Sequence, residues 1–286
     1  MNKNTKVTKK EISELEKIAY ELRVLVIEML EKSSSGHTAG PLGLADIFSA
    51  LYFKYINLNP KNPYELNRDR LILSNGHVCP ILYASLAKKE VFPLEELNTL
   101  RKLNSRLQGH PHNLSLPGVE NSSGPLGQGI SVGLGCSIHS ANSGLNFHTF
   151  IIGSDGELNE GQTWEAIMYA GSHKLKRITY LIDKNNIQLS GNTVDILNLT
   201  NLQEKLESFG WYVLEIDGNN MEEICLAISK SLAIINRPVA IIANTVPGKG
   251  VDFMEYKFSW HGKAPSKDEA EKALYFLDKN FNNEKK

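Results

Sequence analysis

The chain has 286 residues, of which 41% are hydrophobic and 22% charged, with a formal net charge of −1. That is ordinary globular composition, long enough to bury a sizeable core. With no long lysine- or arginine-rich block it offers no nucleic-acid surface, so any anionic ligand needs a local site.

The three cysteines, Cys79, Cys136 and Cys225, are far apart and form no Cys-x-x-Cys spacing, which argues against a disulfide framework and a structural zinc site. A reducing cytoplasm fits that usage. The N-terminal stretch is polar and charged with no apolar signal core, and no run reaches the ~18 apolar residues of a membrane span. The expected location is the cytoplasm.

In chain order, Ile12, Leu15, Ile18, Leu22, Val26 and Met29 recur at threes and fours and predict an amphipathic helix that stops at Ser33–Gly36. A second helix is predicted from Leu44 to about Tyr55, before a turn rich in asparagine and proline. A short strand, Arg70–Leu73, leads through Ser74-Asn75-Gly76-His77 into another helix. The segment Gln108–Gly124 is polar and interrupted by glycine and proline.

Beyond it the pattern becomes regular. Strands predicted at 147–152, 178–183, 212–216 and 239–243 alternate with helices near 161–170, 199–209 and 221–235. Such alternation marks βαβ units, hence an α/β fold with a parallel sheet flanked by helices. No domain boundary is visible, so residues 1–286 read as one domain with a core of about 11–279 and a polar tail, 280–286, expected to fray.

The strand at 147–152 runs into Gly153-Ser154-Asp155-Gly156-Glu157, and thirty residues after Asp155 comes Asn185 at the end of the next strand. One βαβ unit takes about 30 residues, so both side chains should emerge side by side at the carboxyl edge, where open α/β sheets bind ligands. A carboxylate, an amide oxygen and a nearby backbone carbonyl suit Mg²⁺ or Ca²⁺ and leave room for phosphate oxygens. The competing reading is that acids and asparagines at strand ends cap helices or shape turns.

Residues 153–187 resemble the thiamine-diphosphate motif, an acidic Gly-Asp-Gly strand end answered by an asparagine at the end of the next strand. The resemblance implies metal ligation by Asp155, Asn185 and the main-chain oxygen of Ile187, with Gly156 letting the backbone approach the diphosphate. One departure stands out: the first glycine of the triplet is Ser154, and a glycine sits at 153 instead.

Four histidines lie on glycine-flanked loops: His37, His77, His110 and His261. Singly, each reads as a surface or structural histidine. Together they suggest a cluster at one end of the sheet, where imidazole could bond hydroxyls and carry protons at neutral pH. Zinc ligation by His110-Pro-His112 or His77-Val-Cys79 lacks a complementary set. The glycines at 127, 129 and 133 do not have dinucleotide-fingerprint spacing, and Gly248-Lys249-Gly250 is no phosphate loop.

These loops resemble transketolase in order: SGHTAGPLGLADIFSALYF, DRLILSNGH, QGHP, GPLGQG, SDGELNEGQTWEA and SWHGK, across most of residues 20 to 265. The resemblance implies a thiamine-diphosphate-binding fold and enzymes of the pentose phosphate type. It implies that His37, His77, His110 and His261 line the channel to the thiazolium and handle substrate hydroxyls and protons. It also implies cofactor contacts from His77, Gly124, Leu126, Gly156, Asn185 and Lys249, with Glu160 in a carboxylate network at a subunit interface.

A whole transketolase subunit continues into a second domain that holds the pyrimidine ring and the sugar phosphate. The resemblance therefore implies the N-terminal subunit of a split transketolase, binding thiamine diphosphate and Mg²⁺ (or Ca²⁺). It would be active only with a separate pyrimidine-binding subunit, in an α2β2 assembly acting on sugar phosphates. Alternatives are a subunit of another thiamine-diphosphate enzyme, deoxyxylulose-phosphate synthase-like or 2-oxoacid dehydrogenase-like, or a non-catalytic binding or regulatory subunit.

Overall fold

A computed structural model describes residues 7–283. Helix α1, Lys9–Ser33, starts at a capping box in which Thr8 Oγ1 accepts the Glu11 amide at 3.2 Å and the Glu11 carboxylate accepts the Thr8 amide at 2.8 Å. Its buried stripe includes Leu15, Leu22, Val26 and Leu30. The helix ends at Ser34 in the left-handed conformation, within the predicted stop.

The helix predicted over 44–55 is broken into pieces. Helix α2, Ala39–Gly43, and α3, Ala45–Ala50, run on into a π-helical turn, Leu51–Tyr55. The whole stretch is nearly all buried, and Arg23 of α1 holds it down through Leu42 O, at 3.0 Å, and the Asp46 carboxylate.

Strand β1, Arg70–Leu73, is followed by α4, Cys79–Lys88, then α5, Gln128–Asn142, and β2, Thr149–Ser154. Next come α6, Gly161–Ser172, β3, Ile178–Lys184, and a small antiparallel hairpin of β4, Ile187–Gln188, and β5, Gly191–Asn192. Then follow α7, Thr193–Ile196, α8, Leu202–Ser208, β6, Tyr212–Asp217, α9, Met221–Ala233, β7, Val239–Asn244, and α10, Lys267–Asn283. Helix α10 overrides the expected fraying from Asn280: Phe281 stacks on Tyr20 of α1 at 4.3 Å, and Asn280 bonds Gly250 O at 3.2 Å. The rest of that tail, 284–286, lies outside the described residues.

Five strands form one parallel sheet in the order β1-β2-β3-β7-β6. Alternate residues point to opposite faces. Phe150, Ile152, Leu181 and Ile241 pack with α1, α3, α4, α9 and α10, whereas Ile151, Tyr180, Ile182 and Ile242 pack with α5, α6 and α8. With both faces covered, the inner strands read as continuous apolar runs. Each fully buried aliphatic side chain contributes about 1.5–3 kcal/mol. Because all five strands point the same way, their carboxyl ends and following loops share one edge.

Candidate functional site

Three adjacent strands deliver the expected side chains to that edge. His77 follows β1, Asp155 follows β2 and Asn185 follows β3. Ser154 and Asp183 are register partners, so Asp155 and Asn185 leave neighbouring strands close together. Asp155 is buried: Oδ1 accepts the Gly156 amide at 2.8 Å, Oδ2 accepts the Asn186 amide at 2.7 Å, and Thr193 Oγ1 lies at 3.4 Å.

Asn185 Nδ2 donates to Asp183 Oδ2 at 2.8 Å, and Asn185 Oδ1 accepts the Ile187 amide at 3.0 Å. These bonds fix the amide with its oxygen on the β4 side. Burial pushes the Asp155 carboxyl up to about 6 and that of Asp183 to about 7, the neighbouring Asp155 charge adding to the latter. Two buried acids in one bend, beside an amide and main-chain carbonyls, make a hard-oxygen environment whose charge a divalent cation would balance.

The loops bring the histidines together. Ring centroids of His37 and His77 are 4.9 Å apart, those of His37 and His261 5.5 Å, and those of His77 and His261 5.2 Å. Thr38 Oγ1 donates to Lys263 O at 2.5 Å, tying the loop after α1 to the loop that carries His261. Burial is the main cause holding all four imidazoles neutral. It pushes His37 down to about 4, with His261, Arg101 and His110 adding to the shift, and lowers His77, His110 and His261. Neutral imidazoles present one donor and one acceptor each. Among the described residues no group of three His, Cys, Asp or Glu is arranged to hold a metal ion.

His37, His77, His110, His261, Gly124, Leu126, Gly156, Asn185 and Ile187 line one cavity of about 370 Å³. Asp155, itself buried, sits next to lining residue Gly156 but is not part of the lining. Two further expected residues lie outside the cavity lining. Glu160 is the exposed cap residue of α6, and Lys249 lies half-buried in the loop after β7, outside the cavity lining. A groove of about 470 Å³ beside α1 and α4 has no comparable convergence of polar groups.

The structure adds residues that the motifs did not single out. Glu157 is buried and lines the cavity with Gln188, whose Nε2 is buried without a partner. Arg101 donates to Ser35 Oγ at 3.0 Å and to Gly109 O at 3.3 Å, which sets its guanidinium beside the loops of His37 and His110. Glycine flanks drew attention to the histidines; no such flank marks Arg101, whose own φ of 58° puts it in a turn.

Comparison with known proteins bears directly on this arrangement. Residues 15–282 match the family described as transketolase, thiamine diphosphate binding domain. The chain belongs to the transketolase family. It is 37% identical over 258 residues to a 6-deoxy-6-sulfo-D-fructose transketolase subunit of Clostridium sp. (strain MSTE9), covering 90% of this chain and 94% of that one. It is 35% identical to an apulose-4-phosphate transketolase subunit of Phocaeicola vulgatus, covering 88% and 89% of the two chains.

Among solved structures, transketolase from Campylobacter jejuni superposes with a TM-score of 0.88 at 34% identity, covering 95% of this chain and 43% of the other. The Pichia stipitis transketolase complex with sedoheptulose-7-phosphate gives 0.88 at 30% identity, covering 94% and 41%. This transketolase chain thus spans less than half of those single-chain enzymes and nearly the whole of the separate subunits. It is of the N-terminal, thiamine-diphosphate-binding subunit type. Among the described residues no helix is long and apolar enough to cross a membrane.

Proposed function

We propose that this chain is the diphosphate-binding half of a two-chain, thiamine-diphosphate-dependent transketolase that moves a two-carbon ketol unit from a ketose phosphate to an aldose phosphate. The observation that carries the reading is that His77 and Asn185, from the loops after β1 and β3, line one cavity with His37, His110 and His261, with buried Asp155 next to lining residue Gly156 and bonded to the Asn186 amide. The similarity to separately named transketolase subunits supports the two-chain form. Those relatives differ in the sugar they are named for, so the substrate here is given only as a class.

In this reading Asp155, Asn185 and the main-chain oxygen of Ile187 hold Mg²⁺, with Ca²⁺ the alternative hard cation. Gly156, Gly124, Leu126 and His77 would contact the cofactor, and Lys249 would assist at its diphosphate. When bound, thiamine diphosphate supplies the carbon nucleophile that carries the two-carbon unit. The chain's own contribution is to anchor the charged end, exclude water, and place neutral His37, His77, His110 and His261 where they bond substrate hydroxyls and move protons. Lowered imidazole pKa values keep these rings neutral at pH 7, each with one nitrogen able to accept a hydrogen bond and one able to donate.

A cofactor anchored at one end lacks the positioning on which rate depends, so a pyrimidine-binding subunit completes the site, in an α2β2 assembly with Glu160 at an interface. A cytoplasmic setting accords with three free cysteines. The test is capture of the tagged chain from its source lysate with Mg²⁺ and thiamine diphosphate, followed by mass spectrometry. A stoichiometric pyrimidine-binding chain supports the reading; recovery of the chain by itself argues for a binding subunit instead.

A further inference from the structure

Glu157 stands two residues beyond Asp155, almost wholly buried at 1% exposure. Its Oε1 accepts the Gly127 amide at 2.6 Å and the hydroxyl of Ser74, at the end of β1. The Ser74 oxygen in turn accepts the Gly129 amide at 2.9 Å. Gly127, at φ 80°, is the cap residue of α5, a 15-residue helix. The first amides of that helix, which would otherwise lack partners, are therefore met by an internal carboxylate and the serine it holds. Negative charge is favoured there by the helix dipole.

The second oxygen, Oε2, has no hydrogen bond of good geometry, the Ser154 amide being its backbone neighbour, and the hydroxyl of buried Tyr180 has none either. A Cβ built on Gly153 would fall 2.7 Å from that oxygen and 2.5 Å from the Tyr180 hydroxyl. Glycine at 153 is what allows the acid and the tyrosine to share this space. The packing of Glu157 and Tyr180 is thus the reason a glycine is needed at 153.

We infer that Glu157 is a positioning residue that locks the Gly124–Gly127 loop against the loop of Asp155, joining the two walls between which the cofactor diphosphate is received. It touches the reacting atoms nowhere and acts through Gly127, Ser74 and Gly129. The inference rests on the proposed function for the identity of the ligand, but the lock itself is a property of the free chain.

Hydrogen–deuterium exchange on the chain without ligand, comparing wild type, Glu157→Ala and Glu157→Gln, tests the lock. Calorimetry with thiamine diphosphate at saturating Mg²⁺ reads its consequence. Glu157→Ala is expected to expose the amides of 124–130 while β3 and β7 stay protected, and to weaken cofactor binding roughly ten- to a hundredfold, the worth of hydrogen bonds to a charged group. Glu157→Gln, still able to accept from Gly127 and Ser74 and to donate to Tyr180, restores most of both.

Unchanged exchange at 124–130 in the alanine variant overturns the inference, as does loss of protection throughout the sheet in both variants, which would mark a packing residue. If the alanine variant does not fold, Ser74→Ala must show the same local exposure at Gly129 or the inference fails. Absence of cofactor binding by the wild type would sink the proposed function, yet the exchange experiment would still decide the role of Glu157.

Discussion

Asp155 accepts the backbone amide of Asn186 at 2.7 Å, a bond that crosses from the end of β2 to the end of β3. It stitches the two loops that carry the proposed cation ligands into one unit, with Asp183 behind them holding the Asn185 amide. Replacing Asp155 by alanine removes both a hard oxygen and this stitch. Mg²⁺-dependent affinity for thiamine diphosphate should fall by more than the roughly ten- to hundredfold typical of losing an outer-shell partner, whereas Asp183→Asn should fall within that range. Calorimetric titration measures both; an Asp155 variant with wild-type affinity would contradict the assignment.

The histidine cluster makes a prediction about pH. Burial drops His37 to about 4 from an ordinary value of 6.5, so the folded chain binds fewer protons than the unfolded one between those values. Stability from this group is fully present above about 6.5 and is lost as the pH falls through about 4. The imidazole resonances of His37 should show no titration between pH 5.5 and 8 in an NMR series. A midpoint near 6.5 would mean that the ring is solvated and the cluster open.

Gly153 and Ser154 should respond unequally. Gly153→Ala forces a methyl against the Tyr180 hydroxyl and Glu157, and overpacking of this kind costs about 1–3 kcal/mol. Ser154→Gly, which restores the family triplet, removes a small side chain from a strand end and should cost about 1 kcal/mol or less. Thermal melts of the two variants decide the matter, and equal melting temperatures would refute the account of Gly153.

Much of this site is legible in the sequence because its signals are local. The apolar runs of β2 and β3, with thirty residues between Asp155 and Asn185, specify two neighbouring parallel strands, and glycine-flanked histidines mark loops at their ends. Helix α5 is illegible as a helix because Gly129, Gly133 and Gly135 dilute its apolar pattern. Two of those glycines are there for packing, since a Cβ on Gly129 would lie 2.4 Å from Ser74 and one on Gly133 2.4 Å from Ile151. Glu157 reads as one acid among three, since nothing in its neighbours announces burial. Helix α10 hides its inner face behind small residues, Ala270 and Ala273, with Leu277 the large one.

The support beneath the histidine loop is testable through Arg23 and Asp46, a buried ion pair between α1 and α3. Asn219 Nδ2 also bonds Asp46, at 2.8 Å. Arg23→Met leaves the carboxylate buried without its cation, and breaking such a pair costs about 3–5 kcal/mol. Denaturant unfolding should show a loss of that order. A loss under about 1 kcal/mol would mean that Asn219 alone satisfies the acid.

The central claim is that this chain is half of a two-chain enzyme. The most direct measurement is the rate of two-carbon transfer from a ketose phosphate to an aldose phosphate, with Mg²⁺ and thiamine diphosphate, for the purified chain before and after adding its co-purified pyrimidine-binding subunit. The account predicts no turnover by the chain alone and sustained turnover by the mixture, abolished by Asp155→Ala. Robust transfer by the purified chain without a partner would contradict it.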